Sequence, residues 1–179
     1  MRAVRENRLV FIDESFCKTG MCREFGWGLR GERVRGVRPF RSWKTVALIG
    51  AIRLGAKPKL MTYPGSVNGS VFLKFVRTRL VPWLRPGDVV VMDNLNIHKM
   101  LAVRSAIEAV GATPVYLPTY SPELNPIELL WADLKRSLRT LAINDEAPLR
   151  RAVGRLRRRV PPGKVAAWFG HALAHSRIN

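Results

Sequence analysis

The sequence predicts a single α/β domain built on a mixed β-sheet, antiparallel in its first strands and parallel later, with helices on both faces. Three observations lead to this prediction. The first third of the 179-residue chain carries successive short apolar runs typical of strands. The remainder alternates helical and strand-like patterns, an order typical of a mixed sheet covered by helices. Hydrophobic residues make up 47% of the chain, which is sufficient for one core.

The strand-like runs come first. Segment 8–15, RLVFIDES, is a short apolar run that ends in acids, as expected of a buried strand. The Gly- and Arg-rich stretch 25–36, FGWGLRGERVRG, is expected to be a strand leading into a loop. Segments 43–53, WKTVALIGAIR, and 57–63, KPKLMTY, are predicted to be further strands, the second followed by a Pro-Gly turn.

The second half of the chain predicts helices that alternate with strands. In order, these are a helix over 71–84, a strand that ends at Met92, a helix over 100–111, a strand over 113–118, a helix from about Pro126, a basic helix over 149–160 and a short C-terminal helix. We find no internal repeat and no low-complexity tract.

The charge balance predicts a polyanionic partner. Thirty-one Lys and Arg stand against 13 Asp and Glu, for a formal net charge of +18. Such an excess attracts nucleic acid. An acidic membrane is the weaker alternative, because the basic residues do not form one amphipathic anchor. A purely architectural protein would have the same charge, so charge predicts a partner and no reaction.

The chain shows no feature of export or membrane insertion. Its first eight residues are polar and charged, and no apolar run approaches the roughly 20 residues that span a bilayer. Cys17 and Cys22 are expected to be free thiols in a reducing compartment. We therefore expect a cytoplasmic, nucleoid-associated protein with no membrane partner.

Three acids stand in unusual surroundings. Asp13 follows the apolar run LVFI, and Asp93 follows VVVM. A carboxylate that ends a buried strand requires a cation, a metal or an open edge where the strand emerges. A helix from about Pro126 is predicted to have an apolar, core-facing stripe that consists of Ile127, Leu130, Trp131, Leu134 and Leu138. Glu128 is predicted at the margin of this stripe, in line with Lys135 and Arg139, a pattern that a surface row of salt bridges would also produce.

Three converging carboxylates would suit one particular chemistry. Mg²⁺ prefers oxygen ligands and keeps several waters, so two or three acids can hold it and leave room for a phosphate. A pair of such ions about 3.5–4 Å apart can activate an attacking hydroxyl and stabilise the departing oxygen. A basic chain with this cluster is a candidate nuclease or strand-transfer enzyme.

Four motifs carry a resemblance to a known family. They are FIDES, GWGLRG, VVVMDNLNIHK and YLPTYSPELNPIELLWADLKR, and 34 residues separate Asp93 from Glu128. In these motifs and this spacing, the chain from Arg8 to Leu141 resembles the catalytic domain of the DDE transposases of the Tc/mariner superfamily, in particular the bacterial insertion-sequence branch.

The resemblance implies a ribonuclease H-like fold, with residues 1–145 as the catalytic domain and 146–179 as a basic helical extension of it. It also implies that Asp13, Asp93 and Glu128 are the catalytic residues and bind Mg²⁺ or Mn²⁺, with two ions in each site. The implied reaction is endonuclease cleavage at the ends of a mobile element, followed by strand transfer of the freed ends into target DNA, commonly at TA. The implied assembly is a homodimer on DNA.

Several further residues are candidate DNA contacts, from the basic loop, the Asp93 motif and two helices: Arg30, Arg33, Asn94, His98, Lys135, Arg139, Arg155 and Arg158. Asn94 and His98 are expected either to order the Asp93 loop or to touch DNA. The acids Glu14 and Glu123 are not expected to bind metal, since Glu14 alternates to the opposite face of its strand and Glu123 precedes the helix in a turn.

The chain departs from the family in one respect. Members usually carry an N-terminal helix-turn-helix region that reads the element ends, and nothing in this sequence resembles one. The expectation is either a separately encoded helix-turn-helix partner or a truncated copy. The alternatives to a transposase are a nucleic-acid-binding remnant without chemistry and a host nuclease on the same fold.

Overall fold

The computed structural model describes residues 5–36, 44–118 and 121–176. Five strands and five α-helices follow one another in these residues: β1 (Leu9–Lys18), β2 (Thr45–Arg53), β3 (Lys59–Pro64), α1 (Gly69–Phe75), β4 (Val89–Met92), α2 (Leu101–Glu108), β5 (Thr113–Tyr116), α3 (Ile127–Leu141), α4 (Glu146–Arg159) and α5 (Pro162–Ser176).

The strands form one five-stranded mixed sheet in the order β3-β2-β1-β4-β5. The β1–β2 and β2–β3 pairs are antiparallel, whereas β4 pairs with both β1 and β5 in parallel. This confirms the predicted fold class of an antiparallel beginning and a parallel end. Each parallel connection contains a helix, as crossovers of this kind require.

Two hydrophobic clusters cover the two faces of the sheet. On one face, Phe11 and Val91 pack with α3, α4 and α5. On the other face, Val10, Ile12 and Met92 pack with α1 and α2. Since side chains alternate along a strand, consecutive residues of β1 belong to opposite clusters. The same alternation decides which face each acid on this strand occupies.

The strand predicted over 8–15 is longer in the structure. It continues three residues beyond Ser15, and its antiparallel pairing with β2 extends to Lys18 and Thr45. The parallel pairing with β4 stops at Phe11 and Val91. At Asp13, β1 is therefore no longer paired with β4, and the candidate site lies in the opening between these two strands.

Two other segments differ from their predictions. Residues 25–36 form no strand, and every one of them is exposed. Gly28 passes so close to Val34 that an added Cβ would lie 2.7 Å from its methyl carbon, so the loop folds back on itself. The helix predicted over 71–84 ends as α1 at Phe75 and continues as a π-helical turn and a 3-10 turn. Pro82 explains the change, because it has no N–H for an α-helical hydrogen bond.

The C-terminal helices belong to the same core as the sheet. Leu149 and Val153 of α4, and Trp168 and Phe169 of α5, are buried in the cluster that includes Phe11. The rings of Phe11 and Phe169 meet edge to face, with their centroids 5.3 Å apart. Both cysteines are free thiols, as expected. Among the described residues, no helix combines the length and the apolar character needed to cross a bilayer.

Candidate active site

Three acids from distant parts of the chain line a single cavity of about 330 Å³. They are Asp13, Asp93 and Glu128, the three that the sequence analysis selected. The other lining residues come from the turn after β4 and the segment before α3: Asn94, Leu95, Leu117, Pro118, Ser121, Pro122 and Asn125.

The sheet and α3 bring these acids together. Asp13 lies on β1 two residues beyond the last pair with β4, and Asp93 lies two residues beyond the same pair on β4. Parallel strands present corresponding positions at the same edge, so both acids reach the opening between the strands. Glu128 is in the first turn of α3, where an acid interacts favourably with the helix dipole. Asn125 lies just before this helix, and its Oδ1 accepts a hydrogen bond from the Ile127 N–H at 3.4 Å.

Asp13 is a buried carboxylate, with only 7% of the residue exposed. Its Oδ2 accepts a hydrogen bond from the Trp131 indole N–H at 3.1 Å. Burial, partly offset by this hydrogen bond and further supported by the charges of Glu128 and Glu14, raises the pKa of Asp13 to about 7. Negative charge at this position is therefore costly until a cation compensates it.

Gly50 makes room for the Trp131 ring that holds Asp13. Gly50 is the direct β2 partner of Asp13 in the antiparallel pair. A Cβ at this glycine would lie 2.6 Å from Cη2 of Trp131 and 2.5 Å from a methyl carbon of Leu60. The indole can pack over β2 and reach Asp13 only because this position has no side chain.

Another buried acid, Asp88, has the compensation that Asp13 lacks. Asp88 is fully buried, and its two oxygens accept hydrogen bonds from the Arg53 guanidinium at 2.9 and 3.2 Å. Arg8 adds a contact at 3.6 Å. No Lys or Arg in the described residues forms a salt bridge with Asp13. Arg53 and Arg8 therefore balance the charge of Asp88, whereas Asp13, in the cavity, has no basic partner among the described residues.

Asp93 is held by His98, which follows it in the turn after β4. The Nδ1 of His98 contacts Oδ1 of Asp93 and lies 3.3 Å from its backbone carbonyl oxygen. Burial alone would raise the pKa of Asp93, but the hydrogen bond and charge of His98 and the Leu95 N–H outweigh it and lower the pKa. In the opposite direction, burial would lower the pKa of His98, whereas its bonds to Asp93 and Glu14 raise it to about 10.

Burial and two neighbouring charges act on Glu128, the third acid of the cavity. Burial raises its pKa, the charge of Lys135 opposes this rise, and the charge of Asp93 adds to it. Lys135 also lies 5.3 Å above the ring of Phe16. The cavity thus concentrates negative charge that the protein does not fully balance.

The donor set fits a hard divalent cation. Carboxylate oxygens are the ligands that Mg²⁺ prefers, and this ion is usually held by one or two carboxylates together with water and substrate phosphates. Within the described residues, no three acidic, histidine or cysteine side chains are arranged to hold an ion at the same time. The acids instead line a cavity with room for a hydrated ion. Burial first, and repulsion between the acids second, raise the pKa values of Asp13 and Glu128, and a bound cation would offset both effects.

The candidate DNA contacts lie in several places. Those at the surface are Arg30 and Arg33 in the exposed loop, Asn94 at the cavity, Arg139 on α3, and Arg155 and Arg158 on α4; Lys135 is half-buried. The side chain of His98 is completely buried. Of its two expected roles, this position favours ordering the Asp93 loop, because a buried ring does not reach DNA.

A sequence-family profile described as "DDE superfamily endonuclease" matches residues 8–150. The chain belongs to this family. The matched region contains all three acids of the cavity and ends within α4. The DDE family resemblance inferred from the motifs is therefore confirmed.

Similar proteins come from mobile elements. The chain is 29% identical over 110 residues to the "Insertion element IS630 uncharacterized 39 kDa protein" of Shigella sonnei, an alignment that covers 60% of this chain and 32% of that protein. The structure titled "Crystal structure of the Mos1 Strand Transfer Complex" matches 93% of this chain and 52% of its own, with a TM-score of 0.74 and 18% identity. "Structure of Mos1 transposase catalytic domain and Raltegravir with Mg" matches 93% and 78%, with a TM-score of 0.65 and 16% identity.

At this level of identity, the Mos1 structures show a shared fold. Together with the strand order, they confirm that this DDE family member has the predicted ribonuclease H-like fold. The chain spans about a third of the length of the insertion-element relative and about half of the Mos1 chain in the strand-transfer structure.

Two features of the site were not found from the sequence. Trp131 was assigned to the core, and it is buried, but its N–H also binds Asp13. Glu14 was correctly placed on the face opposite Asp13, yet it connects to Asp93 through His98. Each link joins residues that are far apart along the chain, and no periodic pattern marks either one.

Proposed function

We propose that this chain is the catalytic part of a transposase, a divalent-metal-dependent DNA endonuclease and strand transferase that acts at the ends of a mobile element. The observation that carries the proposal is the cavity lined by Asp13, Asp93 and Glu128. Family membership and the net charge of +18 support it. The relatives support it as well, since they are named for an insertion element, a strand transfer complex and a transposase catalytic domain.

In this proposal, Asp13, Asp93 and Glu128 bind Mg²⁺ or Mn²⁺, with two ions in each site. The bound metal would supply an activated hydroxyl and stabilise the departing oxygen of a phosphodiester. Trp131 keeps the Asp13 carboxylate in position, His98 holds Asp93, and Asn125 bonds to the first residue of the helix that presents Glu128. These acids supply the negative charge that draws the cation, and the basic surface binds the DNA backbone.

The DNA partners follow from the same proposal. The chain would cut at element ends and join them to target DNA at TA sequences, acting as a homodimer in the nucleoid. A helix-turn-helix protein would be the partner that recognises the ends. Residues 1–145 would form the catalytic domain and 146–179 its basic extension, which is in keeping with the packing of α4 and α5 against the sheet.

Cleavage of supercoiled plasmid tests the catalytic assignment. Wild-type chain should nick DNA with Mg²⁺ or Mn²⁺, and Asp93→Ala or Glu128→Gln should abolish nicking but leave salt-sensitive DNA binding intact. Glu123→Gln is the matched control, because Glu123 is an exposed acid in the turn before α3 and should not be required. Nicking by Asp93→Ala at the wild-type rate would refute the assignment.

Strand transfer separates the proposed transposase from its alternatives. Incubation of the chain with a pre-cleaved element end and a TA-containing plasmid should give joined product. Metal-dependent nicking without joining would instead indicate a nuclease on the same fold. DNA binding with no saturable Mn²⁺ binding would indicate a nucleic-acid-binding remnant.

A further inference from the structure

The two oxygens of the Asp93 carboxylate have different environments. Oδ1 contacts Nδ1 of His98 and accepts a hydrogen bond from the Leu95 N–H at 3.3 Å. No group in the described part of the chain donates to Oδ2. The side chain is 39% exposed, so the oxygen without a donor remains available to a ligand in the cavity. The protein thus anchors one oxygen and leaves the other free.

The His98 ring, which binds Oδ1 of Asp93, is itself held in place by its neighbours. The His98 ring is completely buried and packs against the Phe72 ring, with the centroids 4.4 Å apart and the planes inclined by 37°. Its second nitrogen, Nε2, lies 2.8 Å from Oε2 of Glu14. Since both ring nitrogens bond to carboxylates, the ring cannot turn without breaking one of these bonds.

Glu14 lies on the far side of this ring. Its side chain is only 13% exposed, and its Oε1 is buried without a hydrogen-bond partner. Burial of a carboxylate is costly when its hydrogen bonds are incomplete. In the described structure, the bond to His98 is the one that compensates this cost. The bond between Glu14 and His98 is therefore not a surface salt bridge, and it restrains the imidazole ring inside the protein.

We propose that His98 and Glu14 are positioning residues that lock the Asp93 carboxylate with Oδ2 available to the cavity, and thereby set the affinity of the site for its divalent ion. This inference rests on the proposed function, since it assumes that Asp93 is a metal ligand. Neither residue touches the ion. Glu14 acts only through the imidazole, from the opposite face of the sheet.

Mn²⁺ binding to the full chain, followed by the electron paramagnetic resonance signal of free Mn²⁺, tests the proposal without reference to activity. Glu14→Ala should weaken Mn²⁺ binding about 10-fold, the effect typical of removing a residue that orients a metal ligand. Glu14→Gln keeps an acceptor for Nε2 and should recover most of the affinity. Glu108→Ala is the control, because Glu108 is an exposed acid on α2 that pairs with Arg104.

A second measurement uses the wild-type chain alone, so it does not depend on how the variants fold. Titration with Mg²⁺ should shift the ¹⁵N resonances of the His98 ring with the same midpoint as metal binding. Wild-type Mn²⁺ affinity in a folded Glu14→Ala variant, or His98 resonances that do not move at saturating Mg²⁺, would overturn the positioning role and leave the proposed function standing. Absence of saturable Mn²⁺ binding in the wild type would overturn both.

Discussion

The indole N–H of Trp131 donates a hydrogen bond to Oδ2 of Asp13 across 3.1 Å, although 117 residues lie between the two along the chain. The bond connects α3, which carries Glu128, to the strand that carries Asp13. Among the described residues, the Trp131 indole is the one side chain that donates a hydrogen bond to Asp13, an acid with no basic partner. The placement of the cavity and the protonation of its most buried acid therefore depend on the same contact.

Trp131→Phe should shift the pH dependence of metal-dependent nicking. Removal of the N–H donor takes away an interaction that lowers the pKa of Asp13, so this pKa should rise above its value of about 7. A net hydrogen bond of about 1 kcal/mol corresponds to roughly half to one pKa unit. The acidic limb of the pH–rate profile should move to higher pH by that amount. Trp168→Phe, in the same core but without a bond to Asp13, should leave the profile unchanged.

Asp13→Asn should stabilise the metal-free protein at neutral pH and not at acidic pH. The folded-state pKa of about 7 lies above the ordinary value of 3.8, so the folded state binds the proton more tightly than the unfolded state. Stability contributed by the protonated acid is complete below about pH 4 and is lost as the pH rises to about 7. The Asn variant does not lose it.

The melting temperature without divalent ions, measured from pH 4 to 8, checks this prediction. The gain from Asp13→Asn at pH 8 should be on the order of 2 kcal/mol, since each pKa unit corresponds to about 1.4 kcal/mol and water in the cavity screens part of it. Asp88→Asn is the contrasting control. It breaks the buried pair with Arg53 and should destabilise the protein by about 3 kcal/mol. A pH-independent effect of Asp13→Asn would contradict the raised pKa.

Gly50→Ala should disturb both stability and the site. The new Cβ would lie 2.5 Å from a methyl carbon of Leu60 and 2.6 Å from the Trp131 ring, so the indole must shift away from Asp13. Overpacking of this kind typically costs about 1–3 kcal/mol. Chemical denaturation should show this loss in the free energy of unfolding. The plasmid assay should show reduced nicking. Gly170→Ala, where an added Cβ meets nothing within 4 Å, should show neither.

The arginines of α4 should contribute to DNA binding without sequence preference. Arg155 and Arg158 are exposed, and no acid in the described residues pairs with them. Each phosphate contact adds about 0.9 to the salt dependence of binding, so the double change Arg155→Gln and Arg158→Gln should reduce the slope by about 2. Arg77→Gln with Arg104→Gln removes the same charge on the opposite face of the sheet. A larger reduction of the slope in the control pair would indicate that DNA binds the face of the sheet opposite α4.

Much of the fold was accessible from the sequence because its signals are local. Apolar runs bounded by turns predicted β2 to β5, and the stripe of Ile127, Leu130 and Trp131 predicted the buried face of α3. The end of β1 was missed, because the pairing that extends this strand to Lys18 comes from a distant partner on β2. The strand expected at the start of the 25–36 loop was also wrong, since the structure gives this exposed segment no strand.

Two of the three acids of the cavity could be predicted from local sequence, whereas Glu128 was selected through the family resemblance. A carboxylate directly after four apolar residues, as at Asp13 and Asp93, stands out within a short window of sequence. The contacts that hold these acids do not. Trp131 has the spacing of a core residue, and strand alternation places Glu14 on the face opposite Asp13, with no expected link to the site. Only the folded chain brings the indole and the imidazole to their carboxylates.

A crystal structure of the chain soaked in MnCl₂, analysed by anomalous scattering at the manganese edge, tests the central claim most directly. We predict an anomalous peak in the cavity within ligating distance, about 2 Å, of carboxylate oxygens from Asp13, Asp93 and Glu128. A saturating soak that places manganese only elsewhere, or nowhere, would contradict it.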